Sequence, residues 1–160
     1  MIRQATINDI NGISNLLRQI QQIHFAGRPD IFKCNSQKYS ASELKAIIAN
    51  DATPIFVYVN DTKQIIGYVF CVITKTENSN TLNDRSTLFI DDLCVDASYR
   101  GQGIGMKLFE FAKKIAIKSQ CEGITLNVWN FNTSAMRFYQ KLGMEPLKTT
   151  MEMNLKEVLQ

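Results

Sequence analysis

Asp91-Asp92-Leu93-Cys94-Val95-Asp96-Ala97-Ser98-Tyr99-Arg100-Gly101-Gln102-Gly103-Ile104-Gly105-Met106 is the stretch whose reading decides the fold. A strand pattern runs into a glycine-rich turn, and the turn opens an amphipathic helix over 104–118. Ile104, Leu108, Phe111, Ala112 and Ile115 share one face of that helix; Lys107, Glu110, Lys114 and Lys118 take the other. Glycine at 101, 103 and 105 lets the backbone approach a ligand with no Cβ in the way. The first N–H groups of a helix lack internal acceptors and carry the positive end of its dipole, so turn and helix start together form a cradle for phosphate. Taken by itself, such a turn also reads as a plain joint between a strand and a helix.

The segments on either side alternate in type. Residues 2–6 read as a strand, and Thr6-Ile7-Asn8-Asp9 is a capped helix start followed by Ile10, Ile13, Leu16, Leu17 and Ile20 at helical spacing. Gly27-Arg28-Pro29-Asp30 breaks that helix. Ser40-Ala41-Ser42-Glu43 is a second capping box, with Leu44, Ile47 and Ile48 on the buried side. Residues 55–59 and 64–74 predict an antiparallel hairpin around Asn60-Asp61-Thr62; 75–86 are polar, and 87–95 form the next strand. Beyond the central helix come a strand over 123–128, a helix over 133–142, and two final strands near 144–147 and 150–155. The order β-α-α-β-β-β-α-β-α-β-β predicts a mixed sheet with helices on both faces, an α/β or α+β architecture.

Composition bounds the rest. At 160 residues the chain has the size of one domain, taken here as 1–160. Hydrophobic residues at 45% and charged residues at 21% are a globular balance rather than a disordered one. A net charge of +3 falls short of the dense basic footprint of a nucleic-acid binder. No apolar run reaches the ~20 residues that cross a bilayer, and Asn8 and Asp9 interrupt any signal-peptide core. Cys34, Cys71, Cys94 and Cys121 form no C-x-x-C pair, and a lone His24 adds nothing to a metal case. The expectation is one soluble, reduced, cytoplasmic domain that binds no metal, nucleic acid or membrane.

Letter by letter, the glycine turn excludes two phosphate-binding motifs. Gly105-Met106-Lys107 does not supply the Gly-Lys-Ser/Thr of a Walker loop. A G-x-G-x-x-G fingerprint fails from Gly101, because Met106 stands at its last position, and from Gly103, because Leu108 does. What fits is Arg100-x-x-Gly103-x-Gly105, preceded by Leu93-Cys94-Val95 and followed by Asn132-x-x-Ala135-x-x-Phe138-Tyr139-x-x-Leu142-Gly143. In these motifs and in the order of its elements the chain resembles, from end to end, the GNAT superfamily of acetyl-CoA-dependent N-acetyltransferases.

That resemblance implies a mostly antiparallel central sheet whose parallel fourth and fifth strands splay apart, helped by a bulge in the fourth. The pantetheine arm of acetyl-CoA then pairs with the strand backbone around Leu93, Cys94 and Val95. The pyrophosphate lies on Arg100, Gly101, Gln102, Gly103, Ile104, Gly105 and Met106. Asn132 caps the last helix and, by resemblance, touches the pantetheine arm. Tyr139 stands where the superfamily often keeps an acid for the departing thiolate; as a plain residue it reads as a core aromatic. Asp91 stands where the superfamily often keeps a base, with a chain of waters as the alternative. Strand alternation sends the neighbouring Asp92 to the opposite face, as a substrate anchor or structural partner. The segment 23–32 falls in the variable acceptor region, where His24 either orients substrate or serves as a hydrogen-bonded structural residue.

The expected activity is acetyl transfer from acetyl-CoA to a primary amine of a small molecule. The alternatives are acetylation of a protein N-terminus or lysine, and a non-catalytic acyl-CoA-binding module. Homodimers are frequent in the superfamily, so the resemblance leaves monomer and homodimer as the two expected states.

Overall fold

Asp9 shows how the sequence starts its first helix. Its carboxylate accepts from the Thr6 N–H at 2.7 Å and the Thr6 hydroxyl at 3.0 Å, and takes two bonds from the Arg3 guanidinium at 2.7 and 2.8 Å. Arg3 holds the Asp9 carboxyl below its usual range, against the opposing effect of burial. The second capping box also forms: the Ser40 N–H donates to Glu43 at 2.7 Å, and the Glu43 N–H donates back to the Ser40 hydroxyl at 3.3 Å.

The structure is a computed structural model that describes residues 1–155. The chain divides into two compact units, Met1–Asn127 and a second beginning at Val128. The first contains β1 (Ile2–Gln4), α1 (Ile10–Gly27), α2 (Ala41–Ile48), β2 (Ile55–Val59), β3 (Ile65–Thr76), β4 (Arg85–Val95), α3 (Ile104–Lys118) and β5 (Gly123–Leu126). The sheet order is β1-β2-β3-β4-β5. The first three pairings are antiparallel and β4 with β5 is parallel, so the mixed, mostly antiparallel sheet expected from the sequence is present.

Helices cover both faces of the sheet. Ile13, Leu16 and Leu17 of α1 and Leu44 of α2 join Val57, Tyr68, Phe70 and Cys94 in one buried cluster. On the other face α3 presses so closely on β3 that a Cβ at Gly67 would lie 3.0 Å from Leu108 Cδ1. The Phe56 and Phe111 rings meet there at 4.8 Å. Gln19 of α1 ties down the turn after β4: its amide donates to Asp96 Oδ2 at 2.9 Å and accepts from the Ala97 N–H at 3.1 Å.

The second unit contains α4 (Thr133–Lys141). Asn132 caps it, its side-chain oxygen accepting from the Ala135 N–H at 3.1 Å. Gly143, at φ +86°, follows the helix end in the left-handed region. Two expectations fail here. The strand expected over 123–128 stops at Leu126. The final strands expected near 144–147 and 150–155 do not form: residues 144–154 carry neither strand nor helix. Leu147, Met151 and Met153 alternate with polar residues as a strand would, but they are 74–86% exposed. Alternation alone does not make a strand. Ladder bonds from a neighbouring edge and an apolar face to cover are also needed, and among the described residues β5 pairs only with β4.

Candidate active site

The β3–β4 register passes from Phe70↔Asp92 to Cys71↔Ile90, which leaves Asp91 as an extra, unpaired residue in β4. This is a β-bulge, and it overturns the alternation argument. Asp92 lies across from Phe70, on the face of Tyr68 and Phe70 that α1 and α2 cover. The bulge lets Asp91 reach the α1–α2 connection as well. The Tyr39 hydroxyl donates to Asp91 Oδ2 at 2.6 Å, and Lys38 Nζ lies 2.8 Å from Oδ1. The same ammonium donates to the Asp91 carbonyl oxygen at 3.0 Å. Tyr68 donates its hydroxyl to Asp92 Oδ2 at 3.1 Å. Phe70 sits between the two phenols, 5.7 Å from the Tyr39 ring and 5.0 Å from the Tyr68 ring.

Charges in this cluster act on one another. Burial pushes the Asp92 carboxyl up to about 6; the charge of Asp91 adds to the rise, while Lys38 and the Tyr68 bond oppose it. Burial, together with the two carboxylates, keeps the Tyr39 and Tyr68 hydroxyls protonated far above the ordinary phenol range. His24, stacked on Phe32 at 4.8 Å, is lowered by burial and by the nearby charge of Lys38, which favours its neutral form. The first unit thus brings together Asp91, Asp92, Lys38, Tyr39 and Tyr68, with His24 within electrostatic reach of Lys38. A half-buried carboxylate pair of this kind attracts cations and can take up a proton near neutral pH.

The bulge also lies where the sheet opens. Pairing between β4 and β5 ends at Ile90↔Leu126, while β4 continues to Val95. Among the described residues the β5-facing edge of β4 from 91 to 95 therefore has no strand partner. Leu93, Cys94 and Val95 lie on this open stretch. The Cys94 thiol points away into the core, 3.7 Å from the Leu16 carbonyl, and burial pushes it up to about 12, so only the backbone of Cys94 can serve a ligand. Arg100 Nε donates to the Val95 carbonyl at 3.1 Å, which holds the start of the glycine turn against the strand end.

Gly101 and Gly103 have φ of +78° and +75°, a region in which other residues are strained. A Cβ built on either glycine meets nothing within 4 Å, so the space over the turn is open. Gly103 caps α3, and the first bond of the helix runs from the Lys107 N–H to the Gly103 carbonyl at 3.1 Å. The N–H groups of Ile104, Gly105 and Met106 precede it and have no acceptor within the helix. Buried Ile104 anchors this turn, while Gln102 and Met106 are exposed. The open strand edge and the donor-rich helix start fit an amide-bearing arm and a pyrophosphate. Asn132 and Tyr139 belong to the second unit, where Tyr139 is half-buried with its ring 5.0 Å from that of Phe138. Among the described residues no group of His, Cys, Asp and Glu could hold a metal ion.

Sequence reasoning missed Lys38, Tyr39 and Tyr68. Lys38 and Tyr39 stand just before a capping box, where they read as loop. Tyr68 carried a usable signal: a phenol in the middle of an apolar strand must find a partner for its hydroxyl when buried.

The family model described as acetyltransferase (GNAT) family matches residues 17–144. The chain belongs to the GNAT acetyltransferase family. It is a family of acyltransferase enzymes. Among curated GNAT and other acetyltransferases, the peptidyl-lysine N-acetyltransferase YjaB of Salmonella typhimurium is 32% identical over 112 residues, covering 70% of this chain and 63% of the relative. The thialysine N-epsilon-acetyltransferase of Bos taurus is 35% identical over 60 residues, covering 38% of this chain and 35% of the relative. The chain thus spans between about a third and just under two thirds of the length of these curated relatives. Among solved structures, a tetramutant of the BH1408 protein from Bacillus halodurans has a TM-score of 0.93 at 34% identity, covering 96% of this chain and 99% of that one. The aminoglycoside acetyltransferase AAC(6')-Iy, in complex with CoA, has a TM-score of 0.72 at 17% identity over 96% of this chain and 98% of that one, a likeness of fold.

Proposed function

We propose that this chain acts over 1–160 as a single N-acetyltransferase domain, moving the acetyl group of acetyl-CoA to a primary amine of a small cationic molecule. The observation that carries the reading is the cluster at the β4 bulge, where Asp91, next to the buried Asp92 carboxyl, already holds an ammonium, that of Lys38, at the point where β4 and β5 part.

A lysine-like amine has a pKa of ~10.4, so only about one molecule in 10³ is neutral near pH 7. Attack on a thioester needs that neutral form. Asp91 takes the proton, directly or through water, and Asp92 adds negative charge that draws a cationic acceptor in. The backbone of Leu93, Cys94 and Val95 pairs with the pantetheine arm, and the turn from Arg100 to Met106 receives the pyrophosphate, in keeping with the open space over Gly101 and Gly103. Asn132 adds a polar contact to that arm, and Tyr139 protonates the leaving thiolate. His24, close enough to feel the charge of Lys38, borders the acceptor. Relatives named for acetyl transfer to thialysine and to streptothricin agree with an amine acceptor.

A screen of amines with acetyl-CoA, following release of free thiol, tests the reading. Turnover of polyamines, lysine-like amino acids or aminoglycosides supports it. Turnover of lysine peptides alone favours the second reading, peptidyl-lysine acetylation, to which YjaB, matched over 70% of this chain, points. Tight binding of acetyl-CoA without turnover of any amine would leave a non-catalytic acyl-CoA-binding module.

A further inference from the structure

Lys38 lies in the connection between α1 and α2, 53 positions from Asp91 in sequence, yet its ammonium meets two oxygens of that one residue. The carboxylate Oδ1 is 2.8 Å away, and the carbonyl oxygen of the bulged residue is 3.0 Å away. Tyr39 holds the other carboxylate oxygen at 2.6 Å and places its ring 5.3 Å from the same ammonium. An acceptor amine would be held in the same manner, with its ammonium against the base and an aromatic wall beside it. The Lys38 side chain is 40% exposed, so the amine is not locked into the core. By contrast, Lys113 makes a 3.8 Å pair with Glu110 along the surface of α3, an ordinary helix pairing.

We propose that Lys38 is itself an acceptor: the chain acetylates its own Lys38 side-chain amine. The inference rests on the reading of Asp91 as the base of an acetyl-CoA-dependent transfer. The Lys38 ammonium gives one proton to the Asp91 carboxylate. The freed lone pair on Nζ forms a bond to the thioester carbonyl carbon, and the C–S bond breaks with its electron pair passing to sulfur. The second proton lost by nitrogen ends on sulfur, which leaves as the CoA thiol, and Asp91 returns its proton to water. The product amide is neutral, so the ion pair with Asp91 is lost on acetylation. Until then, any free amine that uses Asp91 must displace the Lys38 ammonium.

The test incubates the intact protein with acetyl-CoA and no added amine, and follows whole-protein mass, peptide mapping and free thiol. The expected result is one acetyl group gained at Lys38, with one thiol released per chain and a first-order rate constant unchanged on dilution, because the step is intramolecular. Lys114, exposed on α3, serves as the internal control for direct chemical acetylation, and Lys38 should outpace it by roughly tenfold or more. Lys38→Arg keeps the cation and its partner and should abolish the mass gain. Asp91→Asn should slow it to the Lys114 rate; should that variant fail to fold, the comparison of Lys38 with Lys114 in the unaltered protein decides alone. If Lys38 gains acetyl no faster than Lys114 in protein that turns over an added amine, this inference is wrong and the proposed function stands. If the protein neither binds acetyl-CoA by calorimetry nor turns over any amine, the proposed function fails and the inference fails with it.

Discussion

At Asp92 a carboxyl group lies under the Tyr68 hydroxyl and beside a second carboxylate, and burial lifts its pKa to about 6. A raised folded-state value means that the folded chain holds the proton more tightly than the unfolded one. The associated stability is complete below the unfolded value of ~3.9 and is lost as pH rises through about 6. Asp92→Asn removes that ionisation while keeping an acceptor for Tyr68. Its melting temperature relative to the unaltered protein should therefore rise between about pH 4 and about pH 7. A difference that stays constant over that window would show that Asp92 titrates in its ordinary range. Tyr139 gives the second prediction at this scale. Tyr139→Phe keeps the ring against Phe138 and removes only the hydroxyl, so fold and acetyl-CoA affinity should survive while kcat falls by roughly 10²-fold. The loss should appear equally in kcat and kcat/KM, because the contact exists only in the transition state. Near-normal turnover, with chemistry shown to be rate-limiting, would remove Tyr139 from the reaction. Asp91 and Asp92, which the structure brings into one cluster, could be singled out in the sequence because they stand in a motif. Lys38, Tyr39 and Tyr68 could not, since only the folded chain brings the α1–α2 connection and β3 onto the bulge.

Among the elements, α3 and its glycine turn carry the clearest test. Gly103 has φ +75° and open space where a Cβ would go. Gly103→Ala should cost about 1 kcal/mol from backbone strain alone, read by urea unfolding. Gly103→Glu should abolish acetyl-CoA binding in calorimetry, because a carboxylate would enter the space left for the pyrophosphate. Unchanged affinity in folded Gly103→Glu would remove the cradle from the account. The bounds of α3, Ile104–Lys118, could be read in advance because the glycine cap and the 3.6-residue period are local signals. The final strands could not. The alternation of Leu147, Met151 and Met153 is a local pattern, whereas a strand depends on a neighbouring edge that local sequence does not reveal. The bulge at Asp91 lies between these cases: the family resemblance carries it, while strict alternation argues against it and sends the two carboxylates to opposite faces.

Across the molecule, the family match over residues 17–144 takes in residues of both compact units. Element order as far as α4 and the mixed sheet were legible because punctuation and periodicity recur along that part of the chain. The acceptor region was less so, because its side chains come from distant segments and carry no motif. The most direct test of the central claim, that Asp91 deprotonates the acceptor of an acetyl-CoA-dependent transfer, is the pH–rate profile of thiol release by the unaltered protein and by Asp91→Asn on one small cationic amine. The account predicts that Asp91→Asn loses roughly 10²-fold in kcat/KM near neutral pH and regains much of it as pH approaches the amine pKa of ~10.4, where the acceptor sheds its proton unaided. Equal rates for the two proteins near neutral pH, or a loss that persists unchanged to high pH, would contradict it.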